Sequence, residues 1–338
     1  MRRKPKITLG LLVYNGEPYL GQTIDSILSQ TYGDFDLLVS DNASTDGTED
    51  ICRSYAAHDR RVSYVRQGEN IGAMGNFNYL ASRASSDYFK WCAADDLIAP
   101  VFLATCIEFL ESQPDFVLCH SSTRTIGIDG KELPNDIIKP SGACERIPMG
   151  MNTEYHPWQR FRDVLLGSTA VMDLWGVMRT APLKETGLLS PYVGFEKVLI
   201  AALSLRGRFA ELPQKLFSYR IHPDSFSSRI AEDARQEWCD PAAGQTRYPR
   251  LKYLEGYFDA IGNSGLSLKQ KMLCRLAIGR YLLQVSKWRR VLLESILRRQ
   301  IFDGNVEILK RHDIAKHSAD EIDVGEGAYL KNSPESGA

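Results

Sequence analysis

Short apolar segments alternate with segments of helical periodicity from residue 7 to about residue 120 of the chain. The first helical segment shows the pattern, with Leu20, Ile24, Ile27 and Leu28 spaced to share one face. Apolar strands that are each followed by a helix predict an α/β fold, with a mostly parallel sheet covered by helices on both faces. The predicted strands are Ile7–Val13, Phe35–Ser40, Val62–Arg66, Tyr88–Cys92 and Phe116–His120. The predicted helices are Glu17–Gln30, Thr45–Ala57, Ala73–Ala84 and Pro100–Ser112.

Later parts of the chain have different patterns. Residues 121–157 are rich in Gly, Pro and polar residues, which predicts loops with a short hairpin near Asp129 and Gly130. A structured region follows over 158–222, helices are predicted beyond about residue 230, and the acidic residues 319–338 predict a disordered tail. The elements predicted after residue 157 are the helices Gln159–Leu166, Glu196–Arg206, Leu251–Ile261 and Leu268–Gln300, and the strands Ala170–Arg179 and Lys215–Ile221.

Composition and charge narrow the class of protein. The chain has 41 Lys and Arg against 42 Asp and Glu, a net charge of −1, which argues against a general nucleic-acid binder. Its seven cysteines are scattered and form no Cys-x-x-Cys pair, which argues against a disulfide framework and a structural zinc site and predicts a reducing, cytoplasmic compartment. The basic start and the short apolar segment after it do not match a signal peptide, and no apolar stretch is long enough to predict a membrane-spanning helix.

Polar residues follow three of the predicted strands at their carboxyl ends, where open parallel sheets bind ligands. Asn15 and Glu17 follow the first strand, Asp41 follows the second, and the pair Asp95-Asp96 follows the fourth. Asp41 can accept a hydrogen bond from a base or a ribose, and we favour a functional role for it. A carboxylate pair at a strand end can hold Mg²⁺ or Mn²⁺ and leave coordination positions for a diphosphate.

Each of these residues also has a structural interpretation. Ser44 and Thr45 are of the types that cap helices, and we expect them to be mostly caps. The Asp95-Asp96 pair could equally be a solvated turn or a helix cap ahead of Pro100. Taken alone, the residues leave the two interpretations of this pair about even.

Together these segments resemble the family 2 glycosyltransferases. Residues 13–48, VYNGEPYLGQTIDSILSQTYGDFDLLVSDNASTDGT, resemble the opening of that family, and residues 69–78, ENIGAMGNFN, resemble the segment before its third helix. AADD at 93–96 occupies the position of the family's Asp-x-Asp motif. The resemblance covers roughly residues 7–228 and implies a GT-A domain over 1–228, with a nucleotide-sugar half over about 1–120 and an acceptor half over about 121–228. A helical region over 229–318 would follow it.

The resemblance implies a set of nucleotide contacts and one metal ligand. Asp95 matches the last Asp of the Asp-x-Asp motif, the ligand of a Mg²⁺ or Mn²⁺ cofactor. Ala93 stands where the motif has its first Asp, so the usual ribose contact is missing, which affects nucleotide specificity more than catalysis. The implied nucleotide contacts are Val13, Asn15, Glu17, Asp41, Asn70, Gly72 and Asp95.

Two segments in the second half complete the implied site. Glu196 occupies the position of the family's catalytic base, usually Asp; its structural alternative is a carboxylate stabilised by the dipole at a helix start. Residues 217–225 resemble the family's closing Y-R-x-H-x-x-S segment. Arg220 and His222 are predicted on one face of a strand, both directed at the diphosphate, with His222 as a second metal ligand.

Residues 267–300 contain nine Lys and Arg against one acid, Glu294, with apolar residues near helical spacing. Such a basic amphipathic helix can lie on an anionic membrane surface, which would give a peripheral contact at the inner membrane face. The alternative, which the pattern favours somewhat, is a helix packed on the core or on a second copy in a homodimer.

The function predicted from the resemblance is an inverting, metal-dependent, hexosyltransferase-like reaction. The donor would be a nucleotide-diphosphate sugar, with UDP as the predicted nucleotide. The acceptor would be a hydroxyl of a cell-surface glycan, a glycolipid or another acceptor, with a glycan or a lipid-linked molecule as the expected partner. One alternative is a nucleotide-sugar-binding protein of the same fold without turnover, which Ala93 and the change from Asp to Glu196 permit. The other, a nucleotidyltransferase, is disfavoured because no glycine-rich phosphate loop follows the first strand.

Overall fold

A computed structural model of the chain describes residues 4–133, 155–167, 172–225, 238–239 and 249–284. Its strands are Ile7–Val13 (β1), Phe35–Asp41 (β2), Val62–Arg66 (β3), Tyr88–Ala93 (β4), Leu97–Ile98 (β5), Phe116–Ile126 (β6), Val177–Arg179 (β7) and Arg208–Arg220 (β8). Its α-helices are Glu17–Leu28 (α1), Thr48–His58 (α2), Gly72–Arg83 (α3), Phe102–Ser112 (α4), Pro157–Gly167 (α5), Thr180–Lys184 (α6), Phe195–Ser204 (α7), Pro249–Gly262 (α8) and Leu268–Leu282 (α9). A 3₁₀ helix spans Met172–Trp175.

The eight strands form a single sheet in the order β3-β2-β1-β4-β7-β6-β8-β5. β1 is parallel to β2 and to β4, β2 is parallel to β3, and β6 is parallel to β8. β7 is antiparallel to both of its neighbours, and β5 is antiparallel to β8. The predicted mostly parallel α/β sheet is confirmed, and its register brings Val13 beside Asp41 and Leu12 beside Ala93 at one edge.

Side chains of both sheet faces are buried, as the apolar strand patterns predict. In β4, Phe89 and Trp91 belong to the apolar cluster that also holds α3, α5, α7, α8 and α9. Tyr88 and Cys92 alternate with them and belong to the second cluster, with α1 and α4. Because successive strand residues point to opposite faces, a strand buried on both sides needs an almost continuous apolar sequence.

The prediction of a strand over Ala170–Arg179 is wrong in most of the part that the structure describes. A 3₁₀ helix occupies Met172–Trp175, and only Val177–Arg179 is strand. Within this 3₁₀ helix, the buried Asp173 carboxylate lies 3.1 Å from His120 Nε2, a polar contact with β6 that the strand prediction does not include. Residues 168–171 lie outside the described part of the chain.

Other predictions about the later chain have mixed outcomes. The hairpin near Asp129 is confirmed, since the Gly127 amide donates to the Lys131 carbonyl at 2.9 Å. Six of the seven cysteines lie in the described residues, where all six are buried and none is joined in a disulfide. The described residues contain no helix that is long and apolar enough to cross a bilayer. Residues 134–154, 226–237 and 285–338 lie outside the description, so the domain boundary at 228, the end of the basic helix and the disordered tail stay predictions.

Candidate functional site

Two loops at the carboxyl edge of the sheet, β1–α1 and β2–α2, are bonded to each other. The Asn15 amide donates to the Ser44 hydroxyl oxygen at 2.9 Å, and the Thr45 amide donates to Asn15 Oδ1 at 2.8 Å. The Gly47 amide donates to Glu17 Oε2 at 2.9 Å. The predicted roles of Ser44 and Thr45 as caps are wrong, because both bond across to the β1–α1 loop and α2 begins only at Thr48.

Asp41, which ends β2, is fully buried. Its Oδ1 accepts from the Ser44 amide at 2.8 Å, and its Oδ2 accepts from the Tyr64 hydroxyl at 2.8 Å. Burial and the hydrogen bond to Asp41 raise the pKa of Tyr64, so the phenol keeps its proton. Asp41 therefore organises the β2–α2 loop, and a nucleotide base that bonds to Oδ2 would compete with Tyr64.

A pair of asparagines joins the β2 loop to the β3–α3 loop. Asn42 Nδ2 donates to Asn70 Oδ1 at 2.8 Å, and the Gly72 amide donates to the same oxygen at 2.9 Å. Gly72 begins α3 with a φ of 72°, a left-handed conformation that favours glycine. The Val13 carbonyl accepts from the Asn42 amide at 2.9 Å. Asn42 is not among the predicted site residues, although its position directly after Asp41 at a strand end is a signal for it.

Asp95 and His222 lie far apart in the sequence and meet at this edge. His222 Nε2 lies 2.8 Å from Asp95 Oδ2, with 10% of the histidine side chain and 27% of the aspartate side chain exposed. An ionised carboxylate only accepts, so this hydrogen bond requires a proton on Nε2. The Tyr19 ring packs against the imidazole at a centroid distance of 4.8 Å.

The atom types of the Asp95–His222 pair, a carboxylate oxygen and an imidazole nitrogen, fit a divalent metal ion. A carboxylate oxygen beside an imidazole nitrogen suits Mn²⁺, and the carboxylate alone suits Mg²⁺. An ion held by both side chains would replace the proton between them. Among the described residues, no group of three or more His, Cys, Asp or Glu is arranged to hold a metal. The remaining ligands would therefore come from a bound diphosphate and water.

Asp96 has a different environment from Asp95. It is 5% exposed, and its Oδ1 accepts from the Arg220 amide at 2.9 Å. Burial and the neighbouring Asp95 charge raise the pKa of Asp96 well above its ordinary value. Lys90 lies buried beneath this turn, and its Nζ donates to the carbonyls of Trp91 and Trp175. Of the Asp95-Asp96 pair, only Asp95 presents its carboxylate at the surface, and Asp96 fixes the end of β8.

Arg220 is the last residue of β8 and is 0% exposed. Its guanidinium donates to the Asp95 carbonyl at 2.8 Å, the Gly127 carbonyl at 3.0 Å and Gln22 Oε1 at 2.9 Å. The prediction that Arg220 and His222 share one face of a strand is wrong, because β8 ends at Arg220 and His222 lies beyond it. The enclosed guanidinium therefore holds the Asp95 loop in place rather than facing a ligand.

Replacing Arg220 by Met is expected to lower the free energy of unfolding by about 3 kcal/mol or more, because each buried acceptor left without a donor costs about 1–3 kcal/mol. Denaturant unfolding monitored by circular dichroism measures this change. Arg83→Met is the matched control, since Arg83 is an exposed residue in the last turn of α3. An Arg220→Met protein of wild-type stability that loses only nucleotide affinity would instead assign the guanidinium to the diphosphate.

Glu196 lies in the first turn of α7, on the side of the sheet covered by α3. Gly194 precedes the helix with a φ of 86°, and a side chain there would collide with the Tyr253 hydroxyl. Phe195 packs on the Phe77 ring of α3 at a centroid distance of 5.9 Å. These contacts fix the start of α7, and with it the half-buried Glu196.

Comparison with known proteins identifies relatives of the chain. The model of the family described as "Glycosyl transferase family 2" matches residues 8–176. The chain is 38% identical over 174 residues to a putative glycosyltransferase, EpsE, of Bacillus subtilis, a match that covers 48% of this chain and 63% of the relative. It is 33% identical over 114 residues to the glycosyltransferase GlyA of Streptococcus pneumoniae, covering 33% of this chain and 16% of that relative. The chain thus matches less than two thirds of the length of either relative.

Two solved structures share the fold at low sequence identity. Residues 1–349 of TarS from S. aureus, solved in complex with UDP-GlcNAc, superpose with a TM-score of 0.57 at 15% identity, covering 82% of this chain and 73% of TarS 1–349. A mannosyltransferase of Pyrobaculum calidifontis, in complex with GDP-Man and Mn²⁺, superposes with a TM-score of 0.51 at 15% identity, covering 93% and 81%. These likenesses support the assignment of the fold.

Proposed function

The chain belongs to glycosyl transferase family 2, and on this premise we propose that it is an inverting hexosyltransferase that uses a nucleotide-diphosphate sugar. The observation that carries the proposal is the exposed Asp95 carboxylate, paired with His222 at the sheet edge where the loops after β1, β2 and β4 converge. Open α/β sheets bind their ligands at this edge.

The donor is proposed to be a UDP-sugar. The TarS complex contains UDP-GlcNAc and the mannosyltransferase complex contains GDP-Man, so nucleotide-diphosphate sugars occur in two proteins of this fold. In this chain, Asn15, Glu17 and Asn70 lie on the exposed side of the loops that would enclose the nucleotide, whereas Asp41 is buried beneath them. We assign contacts with the nucleotide to the exposed residues, and to Val13 and Gly72 through their main chains.

Asp95 and His222 are the residues that would hold Mg²⁺ or Mn²⁺. When bound, the ion would neutralise the negative charge that develops on the leaving diphosphate. Arg220 and Asp96 support this arrangement from below, because the Arg220 side chain bonds to the Asp95 carbonyl and the Arg220 amide to the Asp96 carboxylate. This double attachment holds the Asp95-Asp96 turn against the end of β8.

Glu196 is proposed as the base that takes the proton of the acceptor hydroxyl. The acceptor oxygen forms a bond to the anomeric carbon while the bond from that carbon to the diphosphate oxygen breaks. Attack from the face opposite the leaving diphosphate inverts the configuration in a single displacement. The position of Glu196 at the start of α7 supports an ionised carboxylate, since the amino end of a helix stabilises negative charge.

The acceptor is proposed to be a hydroxyl of a cell-surface glycan or of its lipid-linked precursor, modified in the cytoplasm. The described cysteines are buried thiols that form no disulfide, which is consistent with a reducing compartment. A specific observation keeps one other function in consideration: Ala93 replaces the first Asp of the Asp-x-Asp motif. A nucleotide-sugar-binding protein without turnover could tolerate that loss.

A panel of nucleotide sugars tests the proposal by thermal unfolding in the presence of Mn²⁺. One UDP-sugar should raise the unfolding temperature, because a ligand at 100 times its Kd stabilises the native state by about 2.7 kcal/mol. Nucleotide release with hydroxyl acceptors, and the anomeric configuration of the product by NMR, then test transfer and inversion. Stabilisation without release for any acceptor would support the binding protein. Pyrophosphate release from a nucleoside triphosphate would support a nucleotidyltransferase.

A further inference from the structure

The helix α9 has two apolar faces. Cys274, Ala277, Ile278 and Tyr281 are at most 5% exposed and pack in the core with α5 and α8. The other face carries an apolar stripe of Leu268, Met272 and Leu276, continued by Leu283 directly after the last helical residue; the four side chains are 88%, 56%, 60% and 78% exposed. At 3.6 residues per turn, these four positions share one side of the helix, opposite the buried set. The core therefore accounts for the first face and leaves the second in solvent.

Cationic side chains border the apolar stripe. Lys269 and Arg280 lie along one edge of it, Arg275 lies along the other, and all three are exposed. The sequence contains no acidic residue between Asp259 and Glu294. Lys271 is also in the helix, but its ammonium donates to the Gly262 carbonyl at 2.8 Å and stabilises the α8–α9 turn. The surface of α9 is thus apolar in the middle and positive at its margins.

We propose that α9 docks this protein on an anionic lipid bilayer, with the apolar stripe in the boundary between headgroups and acyl chains. Apolar residues flanked by Lys and Arg are the pattern of helices that lie in this boundary, and the cations complement lipid phosphates. A second copy of the chain is a poorer occupant, because two α9 helices packed face to face would bring their cations together. The sequence pattern alone somewhat favours packing of this helix on the core. In the structure, one face of α9 packs on the core and the opposite face is exposed, so the helix can pack on the core and contact a bilayer at the same time.

The attachment is reversible and depends on salt. A single interfacial helix lacks the permanence of a spanning segment, so the purified protein should be free in solution without lipid. The electrostatic part weakens at physiological ionic strength, where the Debye length falls to about 8 Å. The expected behaviour is binding to anionic vesicles at low salt and partial release as salt is added.

Sedimentation of the full chain with vesicles tests the proposal. Mixed phosphatidylcholine and phosphatidylglycerol vesicles should bind the protein, and pure phosphatidylcholine vesicles should bind it far more weakly. A charge variant, Lys269→Glu with Arg275→Glu and Arg280→Glu, should partition at least about a hundredfold more weakly, since each cation near the surface is worth about 1 kcal/mol. A stripe variant, with Leu268, Met272 and Leu276 each changed to Ser, should lose binding to anionic vesicles both at low salt and at physiological ionic strength.

A matched charge control uses three exposed cations that precede the strands β1, β3 and β4 in the chain. Changing Lys4, Arg60 and Arg83 to Glu alters the net charge as much as the charge variant does and should leave vesicle binding nearly unchanged. Wild-type protein that ignores anionic vesicles at low salt would overturn the proposal, as would variants that bind like the wild type. A stripe variant that converts a dimer to a monomer in light scattering would show a second copy on this face instead. The affinity for the nucleotide sugar should be equal in the wild type and in all these variants. Failure of the membrane proposal, which rests on the vesicle experiment, can therefore be told apart from failure of the proposed transfer activity.

Discussion

Asp95→Asn is expected to reduce sugar transfer about 10³-fold or more, and to weaken binding of the nucleotide sugar in the presence of Mn²⁺. A metal ion contributes several kcal/mol to stabilising a leaving diphosphate, and a neutral amide holds such an ion poorly. The substitution keeps the size of the side chain and leaves the Asp95 carbonyl bonded to Arg220, so the fold should persist. Initial rates of nucleotide release, with a thermal unfolding check, measure the effect.

Asp87→Asn is the control at the other end of the same strand. Asp87 precedes β4, has 61% of its side chain exposed, and contacts Lys6 and Lys4 at 3.3 and 3.9 Å, so its loss removes only surface ion pairs, each worth at most about 1 kcal/mol. The control should transfer sugar at nearly the wild-type rate. Chelation offers an independent test, because EDTA should abolish wild-type activity and added Mn²⁺ should restore it. Full wild-type activity in EDTA would refute the metal role of Asp95.

The sheet is the part of this molecule that its sequence predicts best. The bounds of β1 and β3 agree with the prediction to the residue. For β1 the reason is that a short apolar segment flanked by polar residues defines a buried parallel strand. β6 shows the limit of this reasoning: it is predicted to end at His120 and continues to Ile126. Its polar second half stays in the sheet because β8 pairs with it along that length, a long-range contact that local pattern does not encode.

The candidate site shows a similar division between local pattern and tertiary contact. The arrival of Asn15, Asp41 and Asp95 at one sheet edge follows from strand order and could be predicted. Which of the two carboxylates faces solvent could not be predicted. Asp41 is buried in a contact with the Tyr64 hydroxyl, which comes from a neighbouring strand. The enclosure of Arg220 likewise depends on carbonyls that come from distant parts of the chain.

The buried His120–Asp173 pair is a polar contact that no local sequence pattern predicts. His120 Nδ1 faces the Ser121 carbonyl at 3.0 Å and Nε2 faces Asp173 Oδ1 at 3.1 Å, so both ring nitrogens meet acceptors. Burial opposes the charged form, but the hydrogen bond and charge of Asp173 outweigh it and raise the pKa of His120. This buried hydrogen-bonded pair joins β6 to the 3₁₀ helix at residues 172–175.

Glu196→Gln is expected to lower turnover about 10²–10⁴-fold, the usual contribution of a general base, with little change in donor affinity. The amide is nearly isosteric with the carboxylate but cannot accept a proton from the acceptor hydroxyl. Because the base contacts the acceptor rather than the nucleotide, binding and chemistry should separate in this variant. Donor titration by calorimetry and turnover under saturating donor and acceptor measure the two quantities. A rise of the activity of the variant toward high pH, where acceptor hydroxyls ionise more readily, would further support the role.

Two more variants test how specific this role is to Glu196. Glu185→Gln is the matched carboxylate control: Glu185 directly follows α6, has 68% of its side chain exposed and contacts Arg206 at 3.4 Å, so turnover should stay near wild type. Glu196→Asp restores the residue usual in the family but shortens the side chain by one methylene, and should retain more activity than Glu196→Gln because a carboxylate remains. Equal turnover in Glu196→Gln and the wild type would assign the base to another carboxylate. Loss of donor affinity together with turnover would instead place Glu196 against the nucleotide sugar, since only a donor contact moves both quantities.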